Sequence, residues 1–241
     1  MKHILITGAS SGIGHALALQ YATKGNIVYA GGRNKNKLDK AFASHHNIIS
    51  FVCDVTILED IEQASVNLPK LDIIILNAGD CEYIDDPIKF DGHLFARIVT
   101  NNLISVGYCL QVLLKNLRPH GNLAFTSSSA AFLPLTRTQA YGASKAGLNY
   151  LAKSLSIDLK PHDINVSVIN PGFVRTPLTD KNTFTMPGII SSELAANSII
   201  AGIDKNKSEI NIPFFFTFVM KLFSLFPFYI WQKLALRMIQ K

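Results

Sequence analysis

His3-Ile4-Leu5-Ile6-Thr7-Gly8-Ala9-Ser10-Ser11-Gly12-Ile13-Gly14 is the stretch from which the rest of the chain is read. The apolar run 3–6 reads as a buried strand. Gly8 to Gly14 reads as a glycine-rich turn, and Ala16 to Lys24 as a helix. Strand, turn and helix in that order suit a nucleotide pyrophosphate: glycines let the backbone approach the phosphates, and the helix N-terminus offers free N–H groups and a positive dipole end. The glycine spacing is G-x-x-x-G-x-G rather than the commoner G-x-G-x-x-G. Gly8, Ser10, Ser11, Gly12, Ile13 and Gly14 are therefore the candidate phosphate-end residues. A glycine-capped turn without a ligand is the plainer alternative, and the flanking strand and helix weigh against it.

Outward from that unit the pattern repeats. Gly25-Asn26 ends the helix, and Ile27-Val28-Tyr29-Ala30-Gly31 is a second strand. A carboxylate at its end would accept hydrogen bonds from an adenosine ribose and repel a 2′-phosphate. The chain has Gly32-Arg33-Asn34-Lys35 there instead. Arg33 can fork onto a phosphate, so Arg33 and Asn34 are candidate cofactor contacts and the site is expected to prefer NADP(H) over NAD(H). Ile48 to Cys53 is a third strand, followed by Asp54-Val55. Asp54 can accept from an adenine amino group or cap a helix expected to begin near Thr56. Leu71 to Leu76 is a fourth strand, continuously apolar as buried parallel strands are, and it ends in Asn77-Ala78-Gly79. Repeated strand–helix units predict a doubly wound parallel α/β sheet with ligands at the strand C-termini.

Composition narrows the function classes. With 241 residues, 48% of them hydrophobic and 17% charged, the chain can build a large core. Lys and Arg exceed Asp and Glu by 23 to 17, but no dense basic run with interleaved aromatics precedes the C-terminus, so no nucleic-acid partner is expected. Cys53, Cys81 and Cys109 are far apart, which excludes a CxxC pair, argues against a disulfide framework or a thiolate metal site, and suits a reducing, cytoplasmic setting. The first apolar run is too short for a signal-peptide core.

The second half carries the chemistry. Leu94 to Leu117 reads as a long helix containing Asn101-Asn102, and Asn122 to Thr126 as a strand leading into Ser127-Ser128-Ser129. Tyr141 and Lys145 lie on a helix running to about Leu159, and the i, i+4 spacing puts both on one face. An ammonium beside a phenol would lower the phenol's pKa and let it exchange a proton near neutrality, which suits carbonyl and alcohol chemistry. Taken alone, such a pair is more often packing and solvated surface than chemistry. A further strand, Asn165 to Ile169, ends in Asn170-Pro171-Gly172-Phe173-Val174-Arg175-Thr176.

Together these segments resemble the short-chain dehydrogenase/reductases. The motifs that carry the resemblance are Thr7 to Gly14, Asp54-Val55, Asn77-Ala78-Gly79, a serine upstream of the tyrosine, Tyr141-x-x-x-Lys145 and Pro171-Gly172-x-Val174-x-Thr176, in the family's order and spacing over residues 1 to about 212. The resemblance implies a single Rossmann-like domain of about seven parallel strands flanked by helices. It also implies a catalytic tetrad of Asn102 (with Asn101 as fallback), Ser128, Tyr141 and Lys145. In that reading Ser128 orients a carbonyl, Tyr141 donates the proton, Lys145 lowers the tyrosine pKa and holds the nicotinamide ribose, and Asn102 positions a water linking Lys145 to solvent. Asn77, Ala78 and Gly79 would line the adenosine ribose, and Pro171, Gly172, Val174 and Thr176 the nicotinamide end. The implied partners are a small carbonyl or alcohol substrate and a second copy in a homodimer or homotetramer. A non-catalytic NADP(H)-binding regulatory or scaffold protein is the alternative, and an intact Ser128/Tyr141/Lys145 set argues against it. A short C-terminal region leaves little room for the nucleotide-sugar domain of the extended epimerase relatives.

Two segments follow the motifs. Pro177 to Ser191 is the expected substrate lid, with Leu178, Phe184 and Met186 suggesting an apolar carbonyl. A helix from Ser191 to about Lys205 and a strand at Glu209 to Pro213 complete the domain. Residues 213–241 form an apolar, basic extension with Lys221, Lys233, Arg237 and Lys241 and no acid after Glu209. Lys221 and Pro227 interrupt it, so two short amphipathic helices are expected rather than a membrane span. They suit peripheral contact with a membrane surface, or equally packing on the body or a dimer contact.

Overall fold

Each apolar run that stops at glycine or asparagine is a strand of one sheet. The strands are β1 (His3–Ile6), β2 (Ile27–Gly32), β3 (Ile48–Val52), β4 (Leu71–Leu76), β5 (Leu117–Thr126), β6 (Asn165–Pro171) and β7 (Glu209–Ile212). In the computed structural model, which describes residues 1–239, they form a seven-stranded sheet in the order β3-β2-β1-β4-β5-β6-β7, every neighbour parallel. Lys241, one of the expected tail cations, lies outside the described residues.

The helices are α1 (Gly12–Thr23), α2 (Lys35–Phe42), α3 (Leu58–Ser65), α4 (Gly92–Val99), α5 (Ser105–Leu113), α6 (Gln139–Asp158), α7 (Ser192–Asp204), α8 (Phe214–Ser224) and α9 (Phe228–Ile239). Strand side chains alternate between faces, and the core divides accordingly. Ile4, Ile6, Val28 and Ile75 face Leu17 and Tyr21 of α1, Leu38 of α2 and Ile199 of α7. Leu5, Ile74, Leu123 and Phe125 face Ile61 of α3, Val106 and Cys109 of α5 and Leu148 of α6. Each such aliphatic side chain contributes about 1.5–3 kcal/mol on burial.

The order places the ligand crevice. From β1 the chain winds outward to β3 and then returns to β4 on β1's other side, so the loops leaving β1 and β4 diverge to opposite faces. The strand ends are tied before the loops part: Thr7 Oγ1 accepts from the backbone N–H of Asn77 (2.9 Å) and Ala78 (3.0 Å). The Asn77 amide donates back to the carbonyls of Thr7 (3.1 Å) and Gly8 (3.3 Å).

Three local expectations change. The helix read as 94–117 runs from Gly92 to Asn116 and contains a π-helical turn at Thr100–Ile104. Strand β5 begins at Leu117 rather than Asn122, because Leu117 pairs with Leu71 before an irregularity lets 118–121 bulge out ahead of the Asn122–Ile73 pair. Helix α3 starts at Leu58, with Ile57 at the cap position, so Asp54 does not cap it. The Asp54 carboxylate instead closes an Asx turn onto Thr56, accepting from its N–H (2.9 Å) and hydroxyl (2.7 Å).

Gly14 shows how tightly α1 meets β1. A Cβ there would lie 2.3 Å from the Gly8 carbonyl oxygen and 2.6 Å from the Asn77 amide nitrogen, so the first turn of α1 sits directly on the β1–β4 tie. Gly14→Ala must push that turn away. It is expected to lower the free energy of urea unfolding by about 1–3 kcal/mol, as overpacking a rigid contact does, whereas an unchanged midpoint would show that the turn yields freely.

Candidate active site

The C-terminal ends of β1, β2, β4, β5 and β6 open into one cleft of about 530 Å³. Its phosphate end is the start of α1. Gly8, Ser10, Ser11, Gly12 and Ile13 line it, and the Ser11 side chain makes no capping bond, so the first-turn N–H groups are left for an anion. Gly14 does not line the cleft; its part is the packing contact above.

Arg33 lies at the adenosine end, 74% exposed, with Nη1 3.6 Å from Asp54 Oδ2. Burial alone would raise the Asp54 carboxyl, but the Thr56 hydrogen bonds and the Arg33 guanidinium outweigh it and hold it below its ordinary value. Val55 and Thr56 continue that wall. Asn34, a predicted contact, caps α2 by accepting from Lys37 N–H (2.9 Å), and its side chain is occupied there. Lys37, which the sequence reading passed over, lines the cleft beside Arg33. Asn77, Ala78 and Gly79 form the floor, and Pro171, Gly172, Val174 and Thr176 line the opposite side with Pro177, Leu178 and Lys181 of the lid.

Ser128, Tyr141 and Lys145 converge at the inner end. Ser128 Oγ accepts from Ala130 N–H (3.1 Å), and its own hydroxyl is within reach of the Tyr141 oxygen. Of its neighbours, Ser127 donates to the Lys145 carbonyl (3.2 Å), and Ser129 is buried at the start of a short 3₁₀ turn. Lys145 is buried, its Nζ 2.9 Å from the Thr126 carbonyl oxygen and 5.8 Å from the centre of the Tyr141 ring. The hydroxyl of Thr126 is buried without a partner among the described residues. An uncapped helix start, two cations at the far end, a buried ammonium and an orphaned hydroxyl all fit a long anionic cofactor with polar hydroxyls.

The electrostatics correct one expectation. Burial raises the Tyr141 phenol well above its ordinary value, and the Ser128 hydrogen bond only partly offsets this. Burial also pushes Lys145 down to about 8. Desolvation thus favours the neutral phenol. Burial likewise lifts the nearby Cys81 thiol to about 11, so it too is neutral.

Asn102 is fully buried in the π-helical turn and does not reach the cleft, which Asn101 lines instead. The Asn102 Oδ1 accepts from Asp80 N–H (2.8 Å), and its Nδ2 donates to the Asp80 carbonyl (2.9 Å) and to Ser144 Oγ (3.0 Å). Ser144 in turn donates to the Tyr141 carbonyl (2.7 Å). The Asn102 amide is therefore a clamp joining the loop after β4 to the helix that carries Tyr141 and Lys145.

Residues 2–186 match the family model described as short chain dehydrogenase. An uncharacterized oxidoreductase of Myxococcus xanthus (strain DK1622) is 33% identical over 219 residues, 87% of this chain and 86% of that protein. An 11-beta-hydroxysteroid dehydrogenase-like 3 of Arabidopsis thaliana is 30% identical over 241 residues, covering 91% and 76%. The fold is shared with a short-chain dehydrogenase from Sphingobium yanoikuyae in complex with NADPH, at a TM-score of 0.78 and 23% identity over 89% of each chain.

The buried ammonium makes a stability prediction. The folded value of Lys145, about 8, lies below its ordinary 10.5, so the unfolded chain holds that proton more tightly. The destabilisation is complete below pH 8 and is relieved as the pH rises from about 8 to 10.5. Lys145→Met is expected to be more stable than the parent by roughly 1–3 kcal/mol at neutral pH. That gap should shrink in melts at alkaline pH, and a variant less stable than the parent at both would contradict the reading.

Proposed function

The chain belongs to the short-chain dehydrogenase/reductase family of oxidoreductases, and we propose that it is an NADPH-dependent reductase of apolar ketones or aldehydes, or the reverse secondary-alcohol dehydrogenase. The observation that carries this reading is the convergence of Ser128, Tyr141 and Lys145 at one end of a cleft whose other end presents the α1 N-terminus, Arg33 and Lys37. Those two cations support the 2′-phosphorylated cofactor. The three free cysteines fit a cytoplasmic setting, and the family resemblance supports a homodimer or homotetramer.

NADPH, when bound, supplies the hydride. The chain's own groups handle position and proton. Ser128, its oxygen already held by Ala130, donates a hydrogen bond to the carbonyl oxygen and orients it. Tyr141, kept a neutral phenol by burial, is the acid that donates to the same oxygen as charge develops there. Lys145 sits under the ring and favours the phenolate that results. Asn102 acts through Ser144 by fixing where that turn of α6 lies.

The apolar substrate class rests on the wall around the lid. Phe184 meets Tyr83 (ring centres 6.2 Å) and Phe173 (6.0 Å), and the Tyr83 hydroxyl donates to Asn182 Oδ1 (2.9 Å), latching the lid to the loop after β4. The hydroxysteroid dehydrogenase name of the plant relative is consistent with a substrate of that character.

Tyr141→Phe is expected to lose about 10²–10⁴-fold in kcat, while NADPH binding by fluorescence titration changes by no more than a few-fold. Retained turnover across ketones, aldehydes and quinones would sink the assignment. Arg33→Glu places a carboxylate against the 2′-phosphate and should lower kcat/KM for NADPH relative to NADH at least tenfold, roughly one lost charge-assisted contact. An unchanged cofactor ratio would remove Arg33 from the site.

A further inference from the structure

Helix α8 is apolar nearly all round and α9 is apolar apart from Gln232, Lys233 and Arg237, yet only one side of each is covered. At 100° per residue, Phe216, Met220 and Phe223 share one side of α8, and they pack with Trp231 of α9 against Phe132, Leu133 and Leu135. Phe214, Phe215, Phe218 and Leu222 share the other side and are exposed, Phe215 by 78%. Leu225, 81% exposed, continues that surface into the corner before α9. On α9, Tyr229 and Leu236 are exposed on the side that carries Lys233, with Arg237 next to it, and Phe228 is exposed at the start of the helix. An apolar surface of this kind marks a contact, and its charge indicates what covers it.

No acidic residue follows Glu209 in the chain, and Glu209 is itself paired with Lys221. A second copy seated face to face would bring the cations of two hairpins together with no carboxylate on either, because a two-fold contact repeats the same patch. An anionic lipid surface complements the same pattern: aromatic and aliphatic side chains enter the boundary while the cations meet headgroups. With 11 residues, α8 is far short of the roughly 20 that a span requires. Among the described residues the one helix that is long and apolar enough to cross, Gly92–Asn116, includes core side chains of α5 packed against the sheet.

We propose that the α8–α9 hairpin docks this protein on an anionic lipid surface, with Phe214, Phe215, Phe218 and Leu225 in the acyl boundary and Lys233 and Arg237 at the headgroups. The covered side of the same hairpin reaches the cleft. Phe216 lies so close behind Gly172 that a Cβ there would be 2.7 Å from its ring. Its ring centre is 5.6 Å from that of Phe173, which meets Phe184 of the lid. Docking therefore sets the substrate end of the cleft beside the bilayer, and an apolar carbonyl dissolved in lipid can enter without crossing bulk water. That last consequence rests on the reductase reading, whereas the docking does not.

The test is cosedimentation of the full chain with vesicles of phosphatidylcholine alone and with vesicles also containing phosphatidylglycerol. The parent protein should pellet with the anionic vesicles, and less so as salt is raised. Phe215→Ser/Phe218→Ser should lose binding at least tenfold. Lys233→Gln/Arg237→Gln should lose about tenfold or more on anionic vesicles only, at about 1 kcal/mol per cation near the surface. Circular dichroism of both variants should match the parent, which shows that the fold is intact. Failure of the parent to pellet overturns the proposal, as does binding by both variants equal to that of the parent. So does a concentration-dependent dimer, seen by sedimentation, that Phe215→Ser/Phe218→Ser dissolves while vesicles leave the parent in solution. Vesicle binding needs no turnover, so an inactive but pelleting protein would count against the reductase reading alone.

Discussion

The interlock of Thr7 with Asn77 is the constraint on which the site depends. A sheet that winds outward from one strand and then back past it has two neighbouring loops leaving in opposite directions, and a crevice opens where they part. Such a crevice is useful only if its floor is fixed. The Thr7 hydroxyl accepts two N–H groups from the far loop, and the Asn77 amide returns two hydrogen bonds to the near one. Each is worth about 1 kcal/mol net, but the reciprocity matters more, because neither loop can shift without breaking bonds to the other. Gly14 brings the α1 N-terminus onto this same point, so phosphate end and floor form one rigid unit.

From that unit, order passes to the catalytic end by a second chain of hydrogen bonds. Asn102 grips Asp80 at both backbone atoms and Ser144 at its hydroxyl, and Ser144 grips the Tyr141 carbonyl. The ammonium this network helps to position is buried against a carbonyl rather than a carboxylate. Folding alone does not favour such a group. Burying it makes the lysine a weaker base than usual and the tyrosine a more reluctant acid, so the pair is set by the surrounding dielectric as much as by mutual attraction.

Most of the strands were legible because a continuous apolar run reads the same whichever helix later covers it. Ser128, Tyr141 and Lys145 were legible because their order and spacing come with those strand ends. The resemblance favours Asn102 over Asn101, but where each side chain points was not legible, since a π-helical turn adds a residue to the helical repeat and rotates everything after it, which a 3.6-residue periodicity cannot anticipate. Asn34 caps α2, and in sequence an amide near a phosphate and an amide capping a helix look alike. Reading it as the cap puts Lys37 at the third position of α2, the residue that lines the cleft. The direction of the tyrosine's pKa shift lay beyond the sequence altogether, because desolvation depends on what the fold lays over the ring.

The chain's single tryptophan is Trp231, buried in the hairpin with its indole N–H on the Pro134 carbonyl at 2.8 Å. Pro134 belongs to the segment that joins the Ser128 turn to α6. One indole therefore serves as an intrinsic optical gauge of the joint between tail and catalytic loop. While the joint is closed it emits from an apolar setting, and any rearrangement that pries α9 from the body moves that emission toward the colour of indole in water, with no label introduced and no other tryptophan to obscure it.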